Sequence, residues 1–284
     1  LGDVYKRQIF SCPVCGKELK FDERSYKCES GHCFDRSKSG YVNLLTSDKM
    51  HSKLPGDNKL MVRARRSFLQ KGYYSYLAES LSSIICRHAE NGISLIDAGC
   101  GEGYYTEEIL RSLRENNIKA RLGGLDISKS AVDLAAKRKQ ENIEYAVSSV
   151  FHIPAADKSI DISLSVFSPI CLEEFYRILR KNGLFYMVIP DTMHLWELKS
   201  VIYDRPYENQ VKDYLLKGFD LIKAYDLPQR KICLESNEDI MNLFSMTPYY
   251  YNTSKADKEK LKDLNFLETV TQFKILVYMK KGEC

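Results

Sequence analysis

The stretch Leu95-Ile96-Asp97-Ala98-Gly99-Cys100-Gly101-Glu102-Gly103 decides the fold of this chain. It continues the apolar run Ile93–Asp97, which predicts a short strand, and helical spacing follows over Glu107–Glu115. Glycines between a strand and a helix allow a tight turn and let a ligand approach the backbone closely. The stretch therefore predicts a strand–turn–helix unit with a nucleotide at the turn.

A second acidic residue, Asp126, ends the next predicted strand. A carboxylate at this position can accept hydrogen bonds from both hydroxyls of a ribose. The spacing Gly99-x-Gly101-x-Gly103 differs from the Gly-x-Gly-x-x-Gly of dinucleotide sites, and no arginine follows Asp126 directly to bind a 2′-phosphate. An NAD site and a purely structural turn of an unrelated α/β protein remain as alternatives.

Apolar runs and helical spacings alternate along the chain on both sides of the glycine turn. This alternation is typical of βαβ units, and it predicts an α/β fold whose mostly parallel sheet carries helices on both faces. The predicted elements are a helix from Lys59, a helix over Tyr74–His88, strands Ile93–Asp97, Leu122–Asp126, Ile143–Val147, Ile160–Phe167 and Leu184–Ile189, helices Glu107–Glu115, Ser130–Gln140 and Glu173–Arg180, and a final strand Val270–Met279.

Length and composition are those of a globular protein. The 284 residues carry a net charge of +4, which permits a polyanionic partner without demanding one. No apolar run approaches the roughly 20 residues of a membrane helix, and no signal peptide is visible. We therefore expect a cytoplasmic protein with no membrane partner.

Three cysteines and a histidine near the N-terminus have the spacing of a zinc site. Cys12 and Cys15 form a Cys-x-x-Cys pair, and Cys28 and His32 follow after twelve intervening residues. Structural zinc takes four such ligands in a tetrahedron, and cytosolic cysteines rarely form disulfides. Cys33 is the alternative fourth ligand. A redox Cys-x-x-Cys pair is the rival, but it leaves Cys28 and His32 unexplained.

These features predict four parts of the chain. Residues 1–8 lack an initiator Met and a pattern, and we expect a non-native N-terminal extension there. Residues 9–46 form the zinc-binding module, and residues 47–90 form a linker and helices. Residues 91–284 form the α/β domain.

The chain resembles the 23S ribosomal RNA (guanine-N1)-methyltransferases of the RlmA type, which are class I S-adenosylmethionine (SAM)-dependent methyltransferases with an N-terminal zinc finger. The resemblance runs from Phe10 onward. It departs at Phe167-Ser168-Pro169 and at Asn182-Gly183, where relatives often have Pro-Gly-Gly. It is carried by Cys12-Pro13-Val14-Cys15, Gly40 to Leu45, Pro55-Gly56-Asp57, Ala64-Arg65-Arg66, Gly72-Tyr73-Tyr74, Asp97 to Thr106, His194-Leu195 with Glu197-Leu198-Lys199, and Met246-Thr247-Pro248.

The resemblance implies a Rossmann-like fold with a seven-stranded sheet, SAM as cofactor, one structural Zn²⁺ and 23S rRNA as partner, with a homodimer as a further possibility. The acceptor-side candidates are Ser168 and Pro169, and no catalytic base is assigned. The implied zinc ligands are Cys12, Cys15, Cys28 and His32. The implied cofactor contacts are Tyr74, Asp97, Gly99, Cys100, Gly101, Glu102, Gly103, Tyr104, Asp126, Ser149 and His194.

A cluster of basic residues follows the linker. Arg63 and Arg66 share a face of the predicted helix, so contact with RNA phosphates is one interpretation and a solvated helix face is the other. The cluster comprises Lys59, Arg63, Arg65, Arg66 and Lys71. Two other functions remain open: methyl transfer to a small molecule, which needs neither zinc nor a basic helix, and RNA binding without catalysis.

Overall fold

The computed structural model describes residues 8–22, 24–47, 56–210 and 214–282. Most of the expected N-terminal extension, and residues 48–55 of the expected linker, lie outside the described residues. The elements in chain order are β1 (Lys20–Asp22), β2 (Ser25–Lys27), β3 (Cys33–Asp35), β4 (Val42–Asn43), α1 (Lys59–Gln70), α2 (Ser75–His88), β5 (Ile93–Ala98), α3 (Tyr104–Glu115), β6 (Ala120–Asp126), α4 (Lys129–Ala136), β7 (Ile143–Val147), β8 (Ile160–Val166), α5 (Leu172–Ile178), β9 (Leu179–Pro190), α6 (Trp196–Ile202), β10 (Phe219–Asp226), β11 (Arg230–Leu234), α7 (Asn237–Ser245), α8 (Tyr249–Asn252), α9 (Lys255–Glu259), β12 (Leu267–Thr271) and β13 (Phe273–Lys280).

The central sheet has the strand order β10-β13-β9-β8-β5-β6-β7-β4. The strands from β9 to β4 run parallel, whereas β13 is antiparallel to both β9 and β10. Seven of these strands come from the predicted α/β domain, and the eighth is β4 of the N-terminal module. The switch in strand order at β5 opens a crevice beyond the carboxyl ends of β5 and β8, which is where ligands bind in such sheets.

The N-terminal module is joined to the edge and to one face of this sheet. Val42 pairs with Ala146 and Asn43 with Val147, so β4 extends the sheet beyond β7. The side chains of Ile9 and Phe10 pack over Gly123 of β6, where an added Cβ would lie 2.8 Å from Ile9 Cγ2. The module therefore shares the apolar core that α5 buries on this face, while α2 and α3 cover the opposite face.

The predicted final strand, Val270–Met279, is interrupted at Gln272. Residues before this point belong to β12, which pairs with β11 in a separate two-stranded sheet, and residues after it form β13. The strand prediction was wrong here because both halves are apolar and alternate alike, so periodicity does not mark the break. Among the described residues, no helix has the length and apolar character needed to cross a bilayer.

Candidate active site

The glycine turn connects β5 to α3 through three residues with left-handed backbone. The φ angles are +87° at Gly99, +57° at Gly101 and +84° at Gly103, a region that side chains with a Cβ disfavour. An added Cβ at Gly99 would lie 2.3 Å from Ser168 Cβ, and one at Gly103 would lie 2.7 Å from the Tyr145 hydroxyl. A Cβ at Gly101 would meet no atom within 4 Å. Gly99 and Gly103 thus allow close packing, while Gly101 faces open space.

That open space belongs to a cavity of about 600 Å³ beyond the carboxyl ends of β5, β8 and β9. Its volume suits a nucleoside-sized ligand. Eight of the predicted ligand and acceptor residues line it: Tyr74, Gly99, Cys100, Gly101, Glu102, Tyr104, Ser168 and His194.

Asp97 lies beneath the cavity floor at the end of β5 and is only 1% exposed. Thr106 Oγ1 donates a 2.6 Å hydrogen bond to Asp97 Oδ2. The other oxygen, Oδ1, has no partner among the described residues. Burial raises the pKa of Asp97 to about 7. An unpaired buried carboxylate oxygen requires a donor or a cation, such as the ammonium group of a ligand.

Asp126 supports the glycine turn from the end of β6. Its Oδ2 accepts a hydrogen bond of 3.0 Å from Gly101 N, and its Oδ1 accepts one of 2.8 Å from Ser128 N. Burial raises the pKa of Asp126. The carboxylate is half-buried beside Gly101, the glycine of this turn that faces open space, which is compatible with the predicted contact to ribose hydroxyls.

Tyr74 and His194 meet at the opposite wall of the cavity. The Tyr74 hydroxyl lies 3.3 Å from His194 Nε2, and Gln272 N donates a hydrogen bond of 3.2 Å to His194 Nδ1. Burial lowers the pKa of His194 to about 3, so the ring is neutral. Because Nδ1 accepts from Gln272, Nε2 carries the proton and donates it to Tyr74. The Tyr74 hydroxyl hydrogen is then available to a ligand.

Glu102 follows Gly101 in the turn and is 2% exposed. Arg138 holds its carboxylate through a 2.5 Å ion pair and also donates from Nε to the Glu102 carbonyl oxygen at 2.9 Å. Burial raises the pKa of Glu102 and also that of the neighbouring Cys100 thiol. Both residues therefore shape the floor of the cavity.

Five predicted residues are not part of the cavity lining: Asp97, Gly103, Asp126, Ser149 and Pro169. Ser149 lines a smaller cavity of about 270 Å³ between the zinc module and the sheet, because the chain turns back there and pairs Ser149 with His152. Pro169 is exposed and is not part of the lining, although Ser168 and Ile170 on either side of it are. The structure therefore does not bring Ser149 together with the glycine turn, and it leaves Pro169 exposed next to the lining.

The structure adds cavity residues that we did not predict as ligands. Met61, Arg65 and Leu69 line the cavity from α1. They recur at intervals of four, so the helical periodicity contained the signal that they share one face. The others are far apart in sequence and carried no such signal; they include Asp57, Phe167, Tyr207, Asn209, Thr247 and Tyr251.

The N-terminal cluster has the geometry of a tetrahedral zinc site. The ligand atoms of Cys12, Cys15, Cys28 and His32 all lie within 4.8 Å of one another. The Cys15 and Cys28 sulfurs are 3.6 Å apart, and His32 Nδ1 lies 3.3 Å from Cys28 Sγ. A tetrahedral Zn²⁺ would set such separations at about 3.6–3.8 Å. Cys33 is exposed and is not part of the cluster.

The backbone around the cluster favours bound thiolates. The backbone N–H of Lys17 lowers the pKa of Cys15 to about 6, and this is the largest of the influences on that thiol. Burial raises the pKa of Cys12, whereas the N–H groups of Cys15 and Val14 act in the opposite direction. The donor set, its spacing and these N–H groups all fit zinc.

Comparison with known proteins identifies both parts of the chain. Residues 10–53 match the model of the RlmA N-terminal zinc ribbon, and residues 89–264 match the model of a methyltransferase domain. The chain belongs to the methyltransferase domain family. The enzyme therefore uses SAM as its methyl donor, and the N-terminal cluster is the zinc site of the ribbon. Asp97 Oδ1, which has no partner in the part of the chain that the structure describes, and the open side of Gly101 fit a bound SAM.

The relatives of this chain include proteins named as rRNA methyltransferases. A protein of Bacillus subtilis, provisionally named 23S rRNA (guanine-N(1)-)-methyltransferase, is 29% identical over 96% of this chain and 97% of its own length. The 23S rRNA (guanine(748)-N(1))-methyltransferase of Streptomyces fradiae is 36% identical over 67% of this chain and 66% of its own. By contrast, the malonyl-[acyl-carrier protein] O-methyltransferase of Yersinia pestis matches only 44% of this chain, at 28% identity.

Proposed function

We propose that this enzyme transfers the methyl group of SAM to N1 of a guanine in 23S rRNA. The proposal rests on one observation: the chain combines a SAM-sized cavity with a zinc ribbon, and β4 of the ribbon is a strand of the sheet that forms the cavity. The relative from Bacillus subtilis spans the ribbon as well as the methyltransferase domain. The match to the acyl-carrier protein methyltransferase is too short to cover both. A small-molecule methyltransferase needs no such ribbon.

We infer the cofactor roles from the polar groups in and beside the cavity. Asp126 accepts hydrogen bonds from the ribose, and Oδ1 of Asp97 faces the ammonium group of the methionine moiety. Tyr74, oriented by His194, donates to the same end of the cofactor. Gly101 lets the backbone approach the ligand. These assignments are part of the proposal, as are those of Glu102, Cys100 and Tyr104 in the floor.

Exposed aromatic rings surround the remaining side of the cavity. Phe167 is 41% exposed, Tyr207 51% and Tyr251 63%, and all three line the cavity. Phe167 has a φ of +54°, which is rare for a bulky residue and is retained mainly at functional positions. Aromatic rings stack on bases that have left a nucleic-acid helix. We infer that the target guanine enters here, beside Ser168 and Pro169, with Phe167 as its stacking partner.

The protein contributes to this reaction mainly by positioning the methyl donor and the acceptor. Methyl transfer from a sulfonium is an in-line displacement, so holding donor and acceptor at the right separation supplies much of the acceleration. The guanine must leave its stack before N1 can approach the cofactor. The turn at Gly99 would hold the cofactor and the ring of Phe167 would hold the guanine, so the two would lie on opposite sides of Ser168.

The partner and location follow from the same proposal. We infer a cytoplasmic enzyme that acts on 23S rRNA and has no membrane partner. The homodimer remains a prediction, and sedimentation of the purified chain tests it.

Primer extension tests the proposed reaction. The full chain is incubated with 23S rRNA and SAM, and reverse transcriptase should then stop at one guanine, because N1 methylation blocks Watson–Crick pairing. RNA with adenine at that position is the matched control and should show no stop. SAM that binds in calorimetry but yields no stop on the rRNA would favour a small-molecule acceptor. Absence of binding would favour a non-catalytic RNA-binding protein.

A further inference from the structure

Arg65 of α1 lines the cofactor cavity. The sequence grouped it with the basic residues on the surface of this helix, but its side chain does not belong to that surface. Its Nη2 lies 2.8 Å from Asp57 Oδ2 and donates a hydrogen bond of 3.3 Å to the Met246 carbonyl oxygen. Met61 and Leu69, one turn before and one turn after it, line the same cavity. The side chain therefore forms part of the cavity wall, where Asp57 and Met246 fix the orientation of its guanidinium group.

The guanidinium group has donors that these two contacts do not use. Arg65 Nε is buried and has no hydrogen-bond partner among the described residues. A guanidinium presents its donors in a fixed plane that matches the two oxygens of a carboxylate. A buried donor without a partner costs free energy unless a ligand supplies the acceptor. Arg65 is thus prepared to bind an anionic group.

The side chains that line the cavity include one cationic partner for a carboxylate. Among the described residues that line the cavity, Arg65 is the one arginine or lysine. His194 is neutral, because burial lowers its pKa to about 3. Asp57 and Glu102 also line the cavity, and Asp97 lies beneath its floor. The methionine moiety of SAM carries both an ammonium and a carboxylate, and the acidic groups can serve only the first.

We propose that Arg65 binds the carboxylate of the methionine moiety of SAM and that Asp57 positions the guanidinium group for this contact. The inference rests on the proposed function in that it takes the cavity as the SAM site. It also means that the cavity recognises the amino-acid end of the cofactor by charge, so a nucleoside that lacks this end binds weakly.

Calorimetry on the full chain tests this with three ligands: S-adenosylhomocysteine, its decarboxylated analogue and 5′-methylthioadenosine. We expect the wild-type chain to bind S-adenosylhomocysteine at least tenfold more tightly than the decarboxylated analogue. The Arg65→Met variant should lose that preference while its affinity for 5′-methylthioadenosine is unchanged, and Arg65→Lys should retain part of it. Arg63→Met, an exposed neighbour on α1, is the matched control and should preserve the affinity for all three.

Equal wild-type affinity for S-adenosylhomocysteine and its decarboxylated analogue would overturn the inference without any variant, and would leave the proposed function intact. The same conclusion would follow if Arg65→Met weakened all three ligands equally, because that pattern indicates a structural role. A wild-type chain that binds none of the three would overturn the proposed function and this inference with it.

Discussion

Ser168 Oγ donates a hydrogen bond of 2.6 Å to the carbonyl oxygen of Ala98, and so ties the end of β8 to the residue before the glycine turn. The same hydroxyl lies 2.8 Å from Ser165 Oγ. The acceptor side and the cofactor side of the cavity are therefore held together by one side chain, and Gly99 must lack a Cβ for Ser168 to fit there.

Gly99→Ala should separate these two segments. The added Cβ would lie 2.3 Å from Ser168 Cβ, and overpacking of this kind costs roughly 1–3 kcal/mol. We expect a lower unfolding temperature and weaker SAM binding. Gly101→Ala is the matched control, because its Cβ meets no atom within 4 Å. It should be less destabilised while still losing cofactor affinity. Thermal unfolding and calorimetry measure the two effects, and equal destabilisation of both variants would contradict this account.

Asp97→Asn should stabilise the cofactor-free enzyme at pH 8 and impair SAM binding. Burial raises the folded-state pKa of Asp97 to about 7, above its ordinary value of 3.8. The contribution of Asp97 to stability is therefore complete below pH 3.8 and is lost as the pH rises through about 7. Asn removes the buried charge and keeps an acceptor for Thr106. We expect an unfolding temperature roughly 2–4 °C higher for each 1 kcal/mol gained.

The control for Asp97→Asn is the same comparison of unfolding temperatures, variant against wild type, at pH 5. At pH 5 the wild-type carboxyl is largely protonated, so the variant should show little advantage there. Calorimetry at pH 8 should show SAM affinity reduced about tenfold or more, because a charge-assisted hydrogen bond is lost. A variant that gains no stability at pH 8, or binds SAM normally, would contradict the role assigned to Asp97.

The glycine turn was predictable because its signal is local. Asp97, Gly99 and Gly101 lie within five residues of one another, and the constraint on them is the turn itself. The strands around Asp126 were also predicted, since parallel strands buried on both faces are nearly continuous apolar runs. The two-residue strand Val42–Asn43 was missed, because two residues carry no periodicity.

The opposite wall of the cavity was only partly predictable. Tyr74 and His194 entered through the family resemblance alone, since the sequence pattern favours the core for Tyr74 and assigns no role to His194. Tyr207 and Tyr251 reach the same cavity from segments more than 40 residues apart, and only tertiary packing brings them together. Arg65 was assigned to the basic surface because charge patterns do not reveal which helix face a neighbouring segment covers.

Replacement of one zinc ligand should release the metal and loosen the ribbon. Cys28→Ser removes a thiolate from a site that needs four ligands, so we expect loss of zinc as measured by elemental analysis of the purified chain. The unfolding temperature should fall, because Ile9, Phe10 and β4 lose their support. SAM affinity should persist, since the cofactor cavity lies apart from the ribbon.

Cys33→Ser is the matched control for zinc. Cys33 is exposed and outside the cluster, so this variant should keep one zinc per chain and the wild-type unfolding temperature. Zinc loss from Cys33→Ser together with zinc retention by Cys28→Ser would reassign the site.

Charge reversal on the exposed face of α1 should weaken RNA binding. The structure removes residues from the basic cluster proposed to contact RNA, because Arg65 lines the cavity and Lys71 forms a 2.6 Å ion pair with Asp239. Arg66 is half-buried and acts electrostatically on Glu102, whereas Lys59 and Arg63 are exposed one turn apart. Lys59→Glu with Arg63→Glu should lower the affinity for RNA and reduce the slope of log K against log salt by about 0.7–0.9 for each phosphate that the protein no longer neutralises. Titrations at several salt concentrations measure both.

Lys119→Glu with Lys181→Glu is the matched control, with the same change in charge. Both residues are exposed near the amino ends of sheet strands, at the edge opposite the cavity. This pair should change RNA affinity little. Similar losses from both pairs would show that net charge, and not the α1 face, controls binding. Cofactor affinity should be unchanged in all of these variants.

Phe167→Gly should remove the proposed stacking ring and also relieve the backbone strain at this position. Glycine adopts the φ of +54° without strain, which offsets the missing packing of the ring, whose centroid lies 5.5 Å from that of Phe273. We therefore expect an unfolding temperature close to that of the wild type. Stacking of a base on an aromatic ring contributes about 1–3 kcal/mol, so kcat/KM for RNA should fall roughly five- to 150-fold.

Phe167→Tyr keeps the ring and should retain most of the activity, whereas Phe167→Leu keeps apolar volume without an aromatic face and should resemble the glycine variant. Single-turnover transfer from radiolabelled SAM to 23S rRNA measures the effect, and calorimetry confirms that cofactor binding persists. If Phe167→Gly transferred methyl groups at the wild-type rate, the guanine would not stack on Phe167, and Tyr207 or Tyr251 would become the candidate platform.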